Sequence, residues 1–163
     1  MNVECPPHSS SKCRRLFGRP GFTLLEIMVT VVIISILATI AIPNYIAYRE
    51  KAILARVISE IKGLEKDIII YAAENGRFPP NLVTIDRAGL TDPWGHSYQY
   101  LPVEGTPPGQ LRKDRFMVPV NTDFDLYSMG RDGRSRPPFT ARHSRDDIVR
   151  CNNGAYIGLA SEY

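Results

Sequence analysis

Gly21-Phe22-Thr23-Leu24-Leu25-Glu26 runs directly into IMVTVVIISILATIAI, residues 27–42, a stretch of 16 consecutive uncharged side chains. Residues 22–42 together make 21 positions with a single charge. At about 1.5 Å per helical residue they reach roughly the 30 Å of a bilayer core. The pattern predicts a membrane-spanning helix. A buried core helix is the alternative, but so small a chain has little with which to surround such a segment on every side. Lys12, Arg14, Arg15 and Arg19 stand just before it, and the charges just after it, Arg49, Glu50 and Lys51, are mixed. Basic residues concentrate on the cytoplasmic side of membrane helices, so the head is expected in the cytoplasm and residues 44–163 outside.

The same head explains the net charge. The 163 residues carry a formal +3, from 20 basic and 17 acidic side chains. Four of those cations and one anion, Glu4, lie in residues 1–21, which leaves 16 of each sign in residues 22–163. Nucleic-acid sites neutralise several phosphates and need a local cationic surplus; the neutral remainder argues against such a face, and no nucleic acid is expected as a partner. A length of 163 residues leaves room for one small domain and an appendage. A hydrophobic content of 44% with 23% charged residues argues against wholesale disorder. Cys5 and Cys13 belong to the head and Cys151 stands alone beyond it. Loss of the head would therefore leave no disulfide, and one cysteine without a CxxC pair makes no structural zinc site.

Glu26 is the anomaly in the apolar segment. A carboxylate at the centre of a membrane helix costs about 2.5–3.5 kcal/mol on insertion scales and less near an end. Glu26 is therefore either tolerated at headgroup level or used. Cleavage after Gly21 would make Phe22 the new N-terminus, with its α-amine four residues from Glu26. Positions i and i+4 share a helix face, so the carboxylate could neutralise that amine or a neighbouring subunit's. An anion in the first turn also suits the helix dipole. With a basic leader before it and a long apolar run ending at Pro43 after it, GFTLLE resembles the class III signal of type IV pilins and type II secretion pseudopilins. The resemblance implies that a prepilin peptidase cuts between Gly21 and Phe22 and N-methylates Phe22. It also implies that Glu26 guides docking of a subunit into a growing filament. A conventional signal peptide, with a small-residue site at Thr39-Ile40-Ala41, explains the charge and hydropathy but leaves Glu26 and the GFTLLE string without a role.

Beyond Pro43 the pattern becomes amphipathic. Leu54, Val57, Ile61, Leu64, Ile68 and Tyr71 recur every three or four residues, with Arg56, Glu60, Lys62, Lys66 and Asp67 elsewhere. One apolar stripe on a helix follows, stopped by Asn75-Gly76 and Pro79-Pro80. If continuous with the apolar segment, the helix is about 80 Å long, with a bend or local melt at Pro43, where one backbone donor is missing. Residues 77–163 are rich in turn signals, with β-prone runs at 96–103, 115–120, 124–128 and 155–159. The expected fold is α+β, the pilin fold: a long N-terminal helix packed by its second half on a small antiparallel sheet. The expected divisions are a cleaved leader (1–21), a transmembrane and assembly half (22–43), an amphipathic half (44–76) and a β-rich part (77–163). Trp94 reads as a packing anchor rather than a binding residue.

Asp92-Pro93-Trp94-Gly95 with Tyr98 and Tyr100, then Asp125-Leu126-Tyr127-Ser128-Met129-Gly130-Arg131-Asp132-Gly133, are similar to the major pseudopilin of the type II secretion system. The acidic residues Asp123, Asp125, Asp132 and Asp146-Asp147 lie around a glycine-rich turn. Calcium takes six to eight oxygens, but no EF-hand spacing is present, and the residues alone equally describe a solvated acidic turn. The resemblance implies one structural calcium held by the carboxylates of Asp132, Asp146 and Asp147 and the main-chain oxygens of Met129 and Arg134. Two departures stand against it: a long insertion with Arg134, Arg136, Arg142, His143 and Arg145, and a chain that runs on past Ile148 to Tyr163 where an earlier end is expected. Nearby cations weaken a calcium site unless they point away.

His8, His96 and His143 have no partners at ligand or triad spacing, and neither GxSxG nor a phosphate-cradling glycine loop occurs. An enzyme is not expected. The resemblance implies a structural subunit of a type II secretion pseudopilus, anchored in the inner membrane with its C-terminal domain in the periplasm. Implied partners are the prepilin peptidase, further copies of the chain, minor pseudopilins and the inner-membrane assembly platform. The alternatives are a type IV pilus subunit and a single-pass membrane protein that never polymerises.

Overall fold

The computed structural model describes residues 21–163; the leader expected over residues 1–21 lies, but for Gly21, outside the described residues. The chain separates into two compact units, Met1–Pro43 and Asn44–Tyr163. Helix α1, Leu24–Asn75, contributes to both. Thr23 opens it: its Oγ1 accepts the Glu26 N–H at 3.2 Å, which is one half of a capping box. The helix passes through Pro43 without interruption. The local melt expected there does not occur, because one missing donor is a small part of the hydrogen bonding of a 52-residue helix.

In the first unit the apolar side chains face outward. Phe22 is 78% exposed and Ile40 62%, and none of the window apolar enough to cross a membrane is buried. None of the described residues covers this segment, whereas the core helix of a soluble domain is mostly buried. Its hydroxyls are satisfied within the helix: Thr30, Ser35 and Thr39 donate to the carbonyls of Ile27, Val31 and Ser35 at 2.7–2.8 Å. A helix that keeps its polar hydrogens bonded internally is suited to hydrocarbon.

In the second unit the expected stripe is real, with Val57, Ile61, Leu64 and Ile68 buried. The helix stops where Gly76, at φ 70°, donates to the Ala72 carbonyl at 2.9 Å; Asn75 Nδ2 bonds the Tyr71 carbonyl at the same distance. Four antiparallel strands follow in the order β1 (Gln99–Pro102), β2 (Phe124–Ser128), β3 (Ile148–Cys151) and β4 (Tyr156–Leu159). Alternation along them divides the side chains between two faces. Phe124, Leu126 and Ile148 pack with the α1 stripe, joined by Trp94, Ile157 and Leu159. Val149 and Cys151 pack on the opposite face with Val120, Phe139 and Ala160. Trp94 thus serves as the packing anchor expected of it.

Two strand expectations need correction. Residues 115–120 form a turn: the Asp114 carboxylate accepts the N–H groups of Phe116 at 2.8 Å and Val118 at 2.9 Å, and Met117 takes φ 64°. Side-chain capping of this kind competes with strand pairing, and Phe116, Met117 and Val118 remain exposed. The unanticipated strand is β3, buried at all four positions. Such a strand has no alternating pattern to announce it, and Arg150 within it and Asp146-Asp147 before it look like surface sequence. The insertion and the extension past Ile148 are the cover of the second sheet face, since they supply Phe139, Tyr156, Ala160 and Tyr163.

Arg150 ties helix to sheet. Its side chain is 1% exposed; Nε donates to Glu65 Oε1 at 2.6 Å, Nη2 to Asp123 Oδ2 at 2.6 Å, and Nη1 to Asp123 Oδ1 and the Phe124 carbonyl at 2.9 and 3.0 Å. The guanidinium also lies 4.0 Å from the Phe124 ring centroid. Burial works against its charge, but the bonds to Asp123 and Glu65 outweigh it and raise the pKa above the ordinary arginine value. Replacing Arg150 by Met leaves two carboxylates without their counter-ion; the expected loss is about 3–5 kcal/mol. Urea unfolding followed by the fluorescence of Trp94 measures it, and a loss below about 1 kcal/mol would show that Arg150 is dispensable to the helix–sheet contact.

Candidate functional site

Two regions carry the residues singled out by sequence. At the first, Gly21 and Phe22 precede the helix and are exposed, and a Cβ placed on Gly21 meets nothing within 4 Å. The peptide bond between them is therefore accessible and outside hydrogen-bonded structure. Glu26 is exposed in the first turn of α1, where an acidic side chain complements the helix dipole.

At the second, the two C-terminal motifs prove to be one junction. The buried Asp92 accepts the N–H groups of Trp94 at 3.1 Å and His96 at 2.9 Å through Oδ1, and the Ser128 hydroxyl at 2.6 Å through Oδ2. Ser128 Oγ in turn accepts the Gly130 N–H at 3.1 Å, and His96 Nδ1 lies 3.1 Å from the Gly130 carbonyl. Gly130 has φ 63°, and a Cβ there would collide with the Asp146 main-chain carbonyl. The DPWG turn, the end of β2 and the residues before β3 are thereby held together. His96 is part of this framework.

The carboxylates expected to hold calcium have separate engagements. Asp132 Oδ1 accepts the Arg134 N–H at 2.8 Å and its Oδ2 lies 3.0 Å from His143 Nδ1. That hydrogen bond to His143, with the Arg134 amide, lowers the Asp132 pKa. Asp146 Oδ2 accepts the N–H groups of Arg131 at 2.9 Å and Asp132 at 3.1 Å. Asp147 is buried, and its Oδ2 accepts from Arg112 Nη2 and Ser135 Oγ, both at 2.5 Å. Burial pushes its carboxyl up to about 6, against the pull of Ser135 and Arg112. Met129 and Arg134 flank the Gly130–Gly133 turn between these groups. Among the described residues no three His, Cys, Asp or Glu side chains are gathered for a metal. Asp147 Oδ1 is buried without a hydrogen-bond partner, while its Oδ2 is already bound to a buried guanidinium, a cation where calcium would have to sit. In this arrangement the donor set does not fit the ion.

Asp123 and Asp125 serve elsewhere. Asp123 holds Arg150, while Asp125 accepts the Arg112 N–H at 2.6 Å and Asn121 Nδ2 at 2.8 Å; burial raises its pKa. Cys151 is free, and burial pushes its thiol up to about 12, so it is an inert packing group. Sequence reasoning passed over Arg112, which no local motif marks, and Thr23, whose Thr-x-x-Glu spacing was there to be read.

The family model for the prokaryotic N-terminal methylation motif matches residues 18–42. Type II secretion system core protein G of Aeromonas hydrophila is 34% identical over 136 residues, covering 71% of this chain and 85% of that protein. The core protein G of Klebsiella pneumoniae is 32% identical over 149 residues (78% and 91%), and that of Dickeya chrysanthemi 34% over 145 residues (83% and 90%). No solved structure matches. An exposed Gly21–Phe22 junction ahead of an uncovered apolar helix, the junction of the two C-terminal motifs, and similarity along most of both chains agree: this chain belongs to the type II secretion system core protein G family, the major pseudopilins.

Proposed function

We propose that the chain, cut between Gly21 and Phe22 and N-methylated on Phe22 by a prepilin peptidase, is the repeating subunit of a short periplasmic pseudopilus that aids protein export. The observation that carries this is the apolar first unit, whose large side chains are exposed along its length. In the membrane lipid covers them; in a filament other copies of the same helix would. The basic head supports an orientation with the leader in the cytoplasm and residues 44–163 in the periplasm. Glu26 gives the otherwise apolar surface one directional contact, to the Phe22 amine of its own or a neighbouring subunit. Minor pseudopilins and the inner-membrane assembly platform are the remaining partners. The work is done by packing, and no catalytic step is assigned.

A type IV pilus subunit shares the signal and the helix. The core protein G relatives, and the C-terminal junction built from the motifs that resemble theirs, favour secretion. Deletion of the gene separates the two: export of secreted proteins is expected to fail while surface pili persist, and the reverse result would assign the chain to a pilus.

Intact-mass measurement of the protein purified from membranes should give a chain beginning at N-methylated Phe22; a product beginning at Met1 or Ile42 is incompatible with prepilin processing. Glu26→Ala should be cleaved normally yet assemble roughly tenfold less or worse, the equilibrium effect of losing about 1.4 kcal/mol per subunit contact. Cross-linking of filaments in the cell reads this, and wild-type yields from the variant would remove the docking role.

A further inference from the structure

The segment from Met129 to Asp147 closes around a charge that belongs to the protein. Arg112 is 2% exposed. Its Nη1 donates to Ser135 Oγ at 2.5 Å and to the Arg136 carbonyl at 2.6 Å, and its Nη2 to Asp147 Oδ2 at 2.5 Å. The guanidinium carbon lies 4.4 Å from the Tyr127 ring centroid and 5.2 Å from that of Phe139. The backbone of Arg112 is fixed as well, through its N–H to Asp125. A carboxylate, a hydroxyl and a main-chain carbonyl are the oxygen types that a hard divalent cation recruits. Here one guanidinium takes all three, and two of them, the Ser135 hydroxyl and the Arg136 carbonyl, belong to the basic insertion that departs from the family pattern. A divalent ion approaching Asp147 would meet that buried positive charge, and like charges repel strongly where water is excluded.

We propose that Arg112 is a built-in cation that fastens the 129–147 segment in place of calcium, so that this subunit folds and keeps its loop without a divalent metal. The arrangement trades a ligand whose occupancy depends on its concentration for one that is covalently part of the chain. It is a property of the subunit alone and stands or falls separately from the filament reading.

The test uses the processed full-length chain in detergent. Calcium is titrated calorimetrically, and thermal unfolding is followed by Trp94 fluorescence in excess chelator and in millimolar calcium. The expected results are no binding heat and melting temperatures within about 1 °C; calcium at ten times its Kd would raise the midpoint by roughly 4–8 °C. Saturable binding with such a rise overturns the proposal. The role of Arg112 is then read by trypsin, whose sites include Arg134, Arg142 and Arg145 inside the loop. Wild-type cleavage there should be equally slow in chelator and in calcium, and Arg112→Gln should accelerate it at least tenfold while cleavage after Arg56 and Arg87 stays near wild type. Unchanged loop cleavage in that variant refutes the role of Arg112. Should Arg112→Gln fail to fold, Ser135→Ala and Asp147→Asn, each removing one acceptor, are expected to accelerate loop cleavage without creating a calcium response. Loop cleavage unchanged in both would refute the role equally.

Discussion

The position of the sheet on the helix depends on Arg150. Hydrophobic burial pulls the stripe Val57, Ile61, Leu64, Ile68 against Phe124, Leu126 and Ile148, but that force has no direction of its own. A helix of this kind could slide or roll by a turn at small cost. Arg150 reaches from β3 to Glu65 on α1 and to Asp123 before β2, so only one axial position and one rotation of the helix satisfy its donors. Tyr98 and Glu60, joined at 2.5 Å, and Arg87 and Asp67, at 2.9 Å, add contacts on either side of that tie. The polar bonds contribute modestly to net stability, yet a missing partner is costly, and that asymmetry fixes the register.

Arg112 plays the matching part on the other side of the sheet. Among the described residues no α-helix covers this face; the cover is made of loops held by a few backbone bonds, such as those of Lys113 with Pro137 and Phe139 at 2.9 and 3.0 Å. A buried cation that binds Ser135, Arg136 and Asp147, lies over Tyr127 and Phe139, and hangs by its own amide from Asp125 gives these loops a common attachment. Both arginines are fork-shaped donors against planar or paired oxygen acceptors, a geometry that lysine does not reproduce. The small domain is thus built as a sheet with one arginine fastening each face.

What the sequence disclosed and what it hid follow from the range of the interactions. The apolar run, the stripe on α1, the stop at Asn75-Gly76 and the GFTLLE signal are all local patterns, and periodicity or order along the chain expresses them directly. The partners of Arg150 lie 85 and 27 residues away and those of Arg112 between 13 and 35. No window contains both ends. β3 was illegible for a related reason, since Arg150 is polar in sequence and buried in fact. The turn at 115–120 was misread because Asp114 captures two backbone donors that a strand would need, and its β-prone neighbours mask that capture. Asp132, Asp146 and Asp147 are close in sequence and similar in charge, which suggests a shared ligand; their different burial and different donors emerge only from the fold.

The two units also handle charge in opposite ways, and this bears on how a neutral subunit can be specific. Residues 44–163 spend acids and bases on ties within the unit, with Arg150, Arg112 and Arg87 each matched to a carboxylate. Opposite charges engaged internally are poorly available for recognition outside. Residues 22–43 hold one acidic side chain, Glu26, and no basic one. An apolar helix packs against other apolar helices with little preference for depth or direction, so any selectivity in that region must come from the single charge and the amine that cleavage would create four residues before it. Before cleavage that amine does not exist and a basic leader occupies its place. Removal of the leader would therefore change two things at once: it would take four basic side chains away from the start of the helix, and it would produce a cation able to meet Glu26 from within the apolar segment.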